Sequence, residues 1–326
     1  MENLTKAAAV GSAGLDRDIL IELYKKLVLA RLFEERVYKL INEGIVLGSV
    51  HLSTGEEASA VGTISVLTKE DYILPTHRGH AQVLAKGSDS AKVLAELAGK
   101  ETGYSRGMCG SIHLFDKSNN NLGSNGIVGA QFPIAVGAGL AIRHKKLDSV
   151  VACFFGDGAS NQGWFYELLN LASLWSLPVI LVCINNLYGM GMAYSKTCPI
   201  SVHEKAQAFR IKSVIADGND VEDVYIKAKE IIDYSKKEKK PSFIECLTYR
   251  YMGHSSHDSR PYRPEEEIAQ WKAKDPVKIA YDKLYKAGVP QDRLEDIKKE
   301  VMEIIDNAEK FAKDSKFAKF EDSMQL

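Results

Sequence analysis

Residues 148–189 read DSVVACFFGDGASNQGWFYELLNLASLWSLPVILVCINNLYG, and this stretch decides the predicted fold. Two short apolar runs, at 148–155 and 179–184, flank a segment of helical character over about 161–175, and a proline at 178 ends that helix. Runs this short, rich in Val, Ile, Phe and Cys and without polar alternation, are typical of strands buried on both faces of a parallel sheet. The stretch therefore predicts a strand–helix–strand unit.

Polar residues follow both predicted strands. Asp157 lies between two glycines after the first strand, and Asn185 and Asn186 end the second. The carboxyl ends of parallel strands share one edge of a sheet, where ligands bind in open α/β folds. The amides of Gly158 and Ala159 can point at an anion there, together with the positive end of the following helix. A carboxylate and an amide are also the hard oxygen ligands that Mg²⁺ uses beside phosphate oxygens.

The rest of the chain continues the alternation of helices and strands. A helix is predicted over 16–43, and further buried strands are predicted at 213–217 and 242–247. The tail over 264–326 predicts helices with one polar face, broken near 288–290 by glycine and proline.

Nothing in the sequence divides the chain into separate units, because it contains no internal repeat and no low-complexity linker. We therefore predict a single α/β unit over residues 1–326, built on a parallel sheet with helices on both faces. It comprises an N-terminal helical segment at 1–45, an α/β core at 46–255, and a mobile loop with a C-terminal helical tail at 256–326.

Composition excludes several classes of protein. The 326 residues carry 42 Lys+Arg and 43 Asp+Glu, a net charge of −1, which gives no basic footprint for nucleic acid. No apolar run is long enough to cross a bilayer, and residues 1–18 lack the pattern of a secretory signal. Five cysteines form no CxxC pair, as in a reducing compartment. We expect a cytoplasmic protein with a small-molecule substrate, and neither nucleic acid nor membrane as a partner.

Glycine is concentrated in two segments, at 103–115 and 121–141. Both are too glycine-rich for regular helix or strand, so irregular backbone is expected. One interpretation is a pair of long surface loops. The other is that the backbone itself contacts a ligand, since compact domains seldom carry this much irregular chain without such a role.

Taken together, these segments resemble the alpha subunit of the first, thiamine-dependent component of 2-oxo acid and acetoin dehydrogenase complexes. GDG, 26 residues and then NN is the spacing of the thiamine diphosphate-binding motif, and the similarity covers roughly residues 17–315. Further matching blocks are SVHLSTGEEASAVG at 49–62, THRGHAQVLAKG at 76–87, SNGIVGAQFPIAVGAGLA at 124–141 and TYRYMGHSSHD at 248–258.

The resemblance implies a set of residues for thiamine diphosphate and Mg²⁺. Asp157, the side chain of Asn186 and the backbone carbonyl of Tyr188 would bind the metal. The backbone amides of Gly158 and Ala159 would contact the diphosphate.

The resemblance also implies residues that contact the rest of the cofactor. Arg78 would pair with a phosphate, beside His77 at a position where many relatives carry tyrosine. The backbones of Gly126 and Val128 would hold the aminopyrimidine ring.

Histidines are the candidate proton-transfer groups. The resemblance places His254 near the diphosphate and the reacting thiazolium, and His254 and His80 are candidates for proton transfer or for steadying the substrate oxygen. The spacings His77-x-x-His80 and His254-x-x-His257 also suit a metal pair, but no Cys or carboxylate set accompanies them. Solvated loop positions are the alternative for His80 and His257.

A partner chain is implied as well. The glutamate that activates the aminopyrimidine comes from a separate beta subunit in this family, so Glu56 and Glu57 are not assigned that role. We expect an α2β2 heterotetramer that is inactive as the isolated alpha chain, and transfer of the acyl group to a lipoyl-bearing acyltransferase component.

The substrate remains open between pyruvate, acetoin and a branched-chain 2-oxo acid. THRGH resembles acetoin-type chains and slightly favours acetoin, while YGMG at 188–191 and GHSSHD at 253–258 resemble pyruvate-type chains. Ser49 replaces a bulky aromatic near the acyl pocket, and Ser255 aligns with a phosphorylated position of relatives, although no regulation is predicted.

The sequence argues against two other classes of protein. A non-catalytic interaction subunit of the same fold is disfavoured because Asp157, Asn186, Arg78 and His254 are all present. A nicotinamide-binding enzyme is disfavoured because no GxGxxG opens a helix after a strand.

Overall fold

The computed structural model describes residues 14–319 and Glu321. Its centre is a sheet of five parallel strands, numbered along the chain together with a separate antiparallel pair. In spatial order the sheet strands are β1 (Tyr72–Leu74), β2 (Val151–Gly156), β3 (Val179–Asn185), β7 (Ser242–Leu247) and β6 (Lys212–Asp217). The separate pair is β4 (Tyr188–Gly189) and β5 (Met192–Ala193).

Eleven α-helices surround this sheet within the described residues. They are α1 (Arg17–Asn42), α2 (Glu57–Ile64), α3 (His80–Lys86), α4 (Ser90–Leu97), α5 (Gln131–His144), α6 (Gly163–Leu174), α7 (Val202–Ala208), α8 (Val221–Glu238), α9 (Glu265–Lys272), α10 (Pro276–Lys286) and α11 (Gln291–Asp314). Short 3-10 helices lie at Lys117–Asn119, Asp157–Asn161 and Tyr194–Lys196.

The two faces of the sheet belong to two apolar layers. Ala152 and Phe154 of β2 pack in one layer with side chains from α1, α8, α10 and α11. Cys153 and Phe155, which alternate with them, pack in the other layer with α5, α6 and α7. Alternation of this kind is the pleat of a strand that is buried on both sides. The predicted parallel sheet with helices on both faces is confirmed.

Most predicted elements are present with shifts of a few residues. The helix predicted at 16–43 is α1, and the four predicted strands are β2, β3, β6 and β7. The tail folds as α9, α10 and α11, with the expected break between Lys286 and Gln291. The described residues do not include 1–13, 320 and 322–326, which belong to the predicted end segments. Most of residues 1–18, the segment considered as a possible secretory signal, therefore lies outside the described residues.

The expectation of irregular backbone over 121–141 was wrong in its second half, where Gln131–His144 forms α5. Close packing explains one of the glycines there, Gly139. A Cβ at Gly139 would lie 2.7 Å from Val179 Cγ2, so glycine lets this helix approach β3.

The other glycine-rich segment, 103–115, is irregular as expected. Its backbone contacts a carboxylate of the protein. The buried Glu96 of α4 accepts hydrogen bonds from four loop amides, those of Ser105, Gly107, Cys109 and Gly110, at 2.7–3.3 Å.

Among the described residues, no helix is both long enough and apolar enough to cross a membrane.

Candidate active site

A cavity of about 350 Å³ opens at the carboxyl ends of four of the five sheet strands. Each strand is followed by a segment that contributes polar groups to the wall. These are residues 76–78 after β1, residues 156–159 at the end of β2 and just beyond it, Asn186 and Tyr188 after β3, and Arg250 and His254 after β7. The fold therefore brings together residues that are up to 198 positions apart, from Glu56 to His254.

Asp157 opens a 3-10 turn directly after β2, and its side chain is buried. Burial raises the pKa of this carboxyl to about 7. Its Oδ2 atom has no hydrogen-bond partner among residues 14–319 and Glu321. A buried carboxylate oxygen without a partner is costly unless a cation or a proton satisfies it.

Asn186 supplies a second oxygen next to this carboxylate. Its amide nitrogen donates to Glu56 Oε1 at 2.8 Å, while its Oδ1 accepts from the Tyr188 amide at 3.2 Å and retains a second lone pair. Carboxylate, amide and carbonyl oxygens form the donor set that Mg²⁺ prefers. The residues present therefore fit a magnesium ion.

The backbone of the turn after β2 forms part of the cavity wall. Gly158 and Ala159 both line the cavity. A Cβ at Gly158 would lie 3.2 Å from the Cα of Gly189, so the turn after β2 and the strand β4 approach each other closely. Glycine permits this approach.

Two buried arginines give the cavity positive charge. Arg78 donates to the carbonyls of Leu52 and His254 at 2.6 and 2.9 Å, and burial lowers its pKa to about 10, so it stays protonated near neutrality. Arg250 donates to the Met190 carbonyl at 3.2 Å. The carboxylate paired with Arg78 among the described residues is that of Glu56, 3.8 Å from Arg78 Nε. Buried guanidinium groups of this kind suit a diphosphate.

Three histidines meet at one side of the cavity. The ring centroid of His51 lies 4.8 Å from that of His77 and 4.8 Å from that of His254. Burial, reinforced by the positive charge of Arg78, lowers the pKa values of His51, His77 and His254 to about 3, 2 and 4. The three imidazoles are therefore neutral near pH 7. Within the described ranges, Nδ1 of His51 and Nδ1 of His254 are buried without a hydrogen-bond partner.

His80 lies outside this cavity, so its predicted role in proton transfer is not supported by its position. The ring is fully buried, with Nδ1 2.8 Å from Glu34 Oε2 and Nε2 2.8 Å from Ser111 Oγ. It links α1 to the glycine-rich loop. The alternative of a solvated loop position is wrong for His80, which is buried, whereas His257 is exposed as that alternative expects.

Of the two residues predicted to hold the aminopyrimidine, Val128 lines the cavity and Gly126 does not. A Cβ at Gly126 would meet Ile112 Cδ1 at 3.0 Å, so this glycine packs against the neighbouring loop. Apart from His80, all the other predicted site residues line the cavity.

Sequence reasoning missed Glu56, His51 and Arg250. Glu56 and Arg250 line the cavity, and His51 packs against two histidines that do. His51 and Glu56 belong to the block at 49–62 and Arg250 to the block at 248–258, so membership of a matching block was the available signal.

The fold and this cavity define an α/β protein with a site for a phosphate-bearing cofactor at the edge of a parallel sheet. Residues 24–321 match the family described as dehydrogenase E1 component, and the chain belongs to that family. Membership of this family implies thiamine diphosphate as the cofactor.

Individual relatives are similar over most of their length. The alpha subunit of acetoin:2,6-dichlorophenolindophenol oxidoreductase from Bacillus subtilis is 41% identical over 300 residues, or 91% of this chain and 90% of that protein. The alpha subunit of the pyruvate dehydrogenase E1 component from Zymomonas mobilis is 41% identical over 304 residues, or 90% and 85%. The corresponding subunit from Porphyra purpurea is 38% identical over 310 residues, or 92% and 90%.

Proposed function

We propose that this chain is the alpha subunit of a thiamine diphosphate-dependent dehydrogenase that cleaves pyruvate or acetoin. The acyl group passes to the lipoyl group of an acyltransferase component. The observation that carries the proposal is the convergence of Asp157, Asn186 and two buried arginines on one cavity. Relatives named for acetoin and for pyruvate are equally similar to the chain, at 41% identity.

Different residues would hold the magnesium ion and the diphosphate of the cofactor. Asp157, the side chain of Asn186 and the carbonyl of Tyr188 would bind Mg²⁺. The amides of Gly158 and Ala159 would bind the diphosphate, with Arg78 as its charged partner. When bound, thiamine diphosphate supplies an electron sink for the carbanion that forms when a bond to the substrate carbonyl carbon breaks.

His254 is the residue that we propose for proton transfer. It lines the cavity, and its Nδ1 is buried without a hydrogen-bond partner in the described part of the chain. A neutral imidazole can accept a proton at this atom or donate one to a substrate oxygen, depending on the tautomer.

A beta subunit is the proposed partner, in an α2β2 assembly. The helices α5 and α6 pack together on one face of the sheet and expose an apolar surface, which we call the α5–α6 surface. Its members are Ile134, Leu140, Trp164, Tyr166, Leu174 and Trp175. Val128, 44% exposed, lies at the cavity and only three residues before α5. Because this surface continues to the cavity, a chain that covers it also reaches the cofactor.

The choice of substrate rests on the block at 76–80, which slightly favours acetoin. His77 of that block packs against His51 and His254, so the histidine that distinguishes this block belongs to the cavity. Ser49, considered for pocket size, is exposed and does not line the cavity. A branched-chain 2-oxo acid is the alternative substrate.

The test is a turnover assay on the chain purified with its beta partner. Thiamine diphosphate and Mg²⁺ are supplied, and dye reduction is followed in parallel with acetoin, pyruvate and branched-chain 2-oxo acids. We expect turnover with acetoin or pyruvate from the assembly and none from the alpha chain alone. Turnover by the isolated alpha chain contradicts the shared site, and no turnover with any substrate contradicts the proposed function.

A further inference from the structure

A lysine lies buried behind the turn that carries Asp157. Lys205 belongs to α7, and only 3% of its surface is exposed. Its Nζ donates to the carbonyl and the hydroxyl of Ser160, both at 3.1 Å, and to Asn161 Oδ1 at 2.9 Å. An ammonium group has three hydrogens to donate, and its three hydrogen bonds to oxygen atoms all end on this one turn.

This charge has no carboxylate partner. Within residues 14–319 and Glu321, no carboxylate oxygen lies within 4.0 Å of Lys205 Nζ. The nearby Glu245 accepts instead from Asn185 Nδ2 at 2.7 Å and from the His203 amide at 2.8 Å. The rings of Tyr166 and Tyr194, 5.7 and 5.6 Å from Nζ, supply cation–π attraction.

Burial of an unpaired ammonium group is unfavourable, and an apolar side chain of the same length would avoid that cost. Lysine at this position therefore calls for a role beyond packing. The position of its hydrogen bonds supplies one, because they end on the segment that bears the metal ligand.

A short chain of contacts connects Lys205 to Asp157. The Ser160 hydroxyl, which accepts from Lys205, donates to the Asp157 carbonyl at 2.8 Å. The segment Asp157–Asn161 is a 3-10 helix, whose hydrogen-bond geometry is poorer than that of an α-helix. Such a turn needs support from outside its own backbone to hold one geometry.

We propose that Lys205 is a positioning residue, which fixes the turn at 157–161 in the geometry that binds magnesium and diphosphate. The inference rests on the proposed cofactor site. Lys205 does not line the cavity and acts through Ser160 and Asn161.

The test compares Lys205→Met, which keeps the length and removes the charge and donors, with Lys205→Arg, which keeps both. Equilibrium binding of thiamine diphosphate to the purified α/β assembly is measured across a Mg²⁺ series by isothermal titration calorimetry. We expect Lys205→Met to weaken apparent Mg²⁺ affinity by about 10-fold or more, the range seen for residues that orient metal ligands. Lys205→Arg should recover part of that loss.

Lys212→Met is the matched surface control. Lys212 is partly exposed on β6 and pairs with Glu230 at 2.9 Å, so this variant should bind Mg²⁺ and cofactor as the wild type does. Unchanged Mg²⁺ affinity in Lys205→Met overturns the proposal, and so does an equal loss in Lys212→Met. Absence of magnesium-dependent binding in the wild type overturns instead the proposed function.

Ser160→Ala provides an independent test should Lys205→Met fail to assemble. It removes the hydroxyl between Lys205 and the Asp157 carbonyl and leaves the lysine in place. We expect a smaller loss of Mg²⁺ affinity, with little change in the melting temperature of the apo assembly. If Ser160→Ala binds Mg²⁺ as tightly as the wild type, the proposal is overturned.

Discussion

Glu56 shapes the candidate metal site without being one of its expected ligands. Its buried carboxylate accepts from the Asn186 amide nitrogen at 2.8 Å and lies 3.8 Å from Arg78 Nε. With its nitrogen held in this way, the Asn186 side chain keeps its oxygen for other partners. Groups that orient a metal ligand commonly matter almost as much as the ligand itself.

Substitution of Glu56 tests this orientation. Glu56→Gln retains an oxygen that can accept from Asn186, whereas Glu56→Leu does not. We expect Glu56→Leu to lower Mg²⁺ affinity of the α/β assembly by about 10-fold and Glu56→Gln to lower it less, measured by calorimetry. Equal affinities in the two variants would contradict a role for this hydrogen bond.

The neighbouring Glu57 is the control for that experiment. It pairs with Arg31 at 2.6 Å and does not line the cavity. Glu57→Gln should therefore lower stability while the folded assembly binds Mg²⁺ as before.

His77 predicts a particular dependence of stability on pH. Its pKa is about 2 in the folded chain and 6.5 in the unfolded chain, because burial and Arg78 disfavour the imidazolium. Below pH 6.5 the unfolded chain takes up a proton that the folded chain does not, so this group makes the folded state progressively less stable as pH falls.

His77→Asn removes this effect. Between pH 6.5 and 4 its unfolding free energy should fall less steeply than that of the wild type, by up to about 1.4 kcal/mol per pH unit. Urea unfolding of the cofactor-free chain at several pH values measures it. His257→Asn, at an exposed position, should follow the wild-type curve, and parallel curves for His77→Asn would contradict the prediction.

Among the elements, α5 shows where sequence reasoning failed. A dense run of glycines predicts irregular backbone because glycine is a poor helix former. Tertiary packing overrides that preference here, since Gly139 lies against Val179 and Leu177. The strand β1 was missed for a different reason, because a run of three residues carries no periodic signal.

The same substitution should have opposite effects at two glycines of α5, Gly137 and Gly139. A Cβ at Gly139 would lie 2.7 Å from Val179 Cγ2, so Gly139→Ala should destabilise the chain by roughly 1–3 kcal/mol. A Cβ at Gly137 would have no described atom within 4 Å, apart from atoms of its own helix and its chain neighbours. Gly137→Ala should therefore stabilise the helix by about 0.5–1 kcal/mol. Chemical denaturation measures both, and equal effects would contradict the packing explanation.

Much of the candidate site was predictable from the elements and the motif. Asp157 and Asn186 directly follow buried strands, and strand ends in a parallel sheet meet at one edge. The contribution of Glu56 and Arg250 depends on loop packing between distant segments, which no local pattern specifies. The same holds for His80, whose ring turns toward Glu34 and away from the cavity.

At the scale of the whole molecule, the α5–α6 surface predicts dependence on a partner. Leu174 of this surface is 71% exposed. Leu174→Glu should reduce co-purification with the beta chain, because a charge is buried in an apolar interface. Tyr285→Glu, at a 58% exposed position on α10 in the layer across the sheet, should co-purify normally. Equal recovery of both variants would contradict this placement of the interface.

The central claim is that the turn after β2 binds a magnesium-held diphosphate. The most direct test titrates thiamine diphosphate into the α/β assembly with and without Mg²⁺, for the wild type and for Asp157→Asn. Asparagine keeps the size of the buried side chain and removes its charge. We predict magnesium-dependent binding by the wild type and its loss in Asp157→Asn. Binding of equal affinity in both proteins would contradict the account.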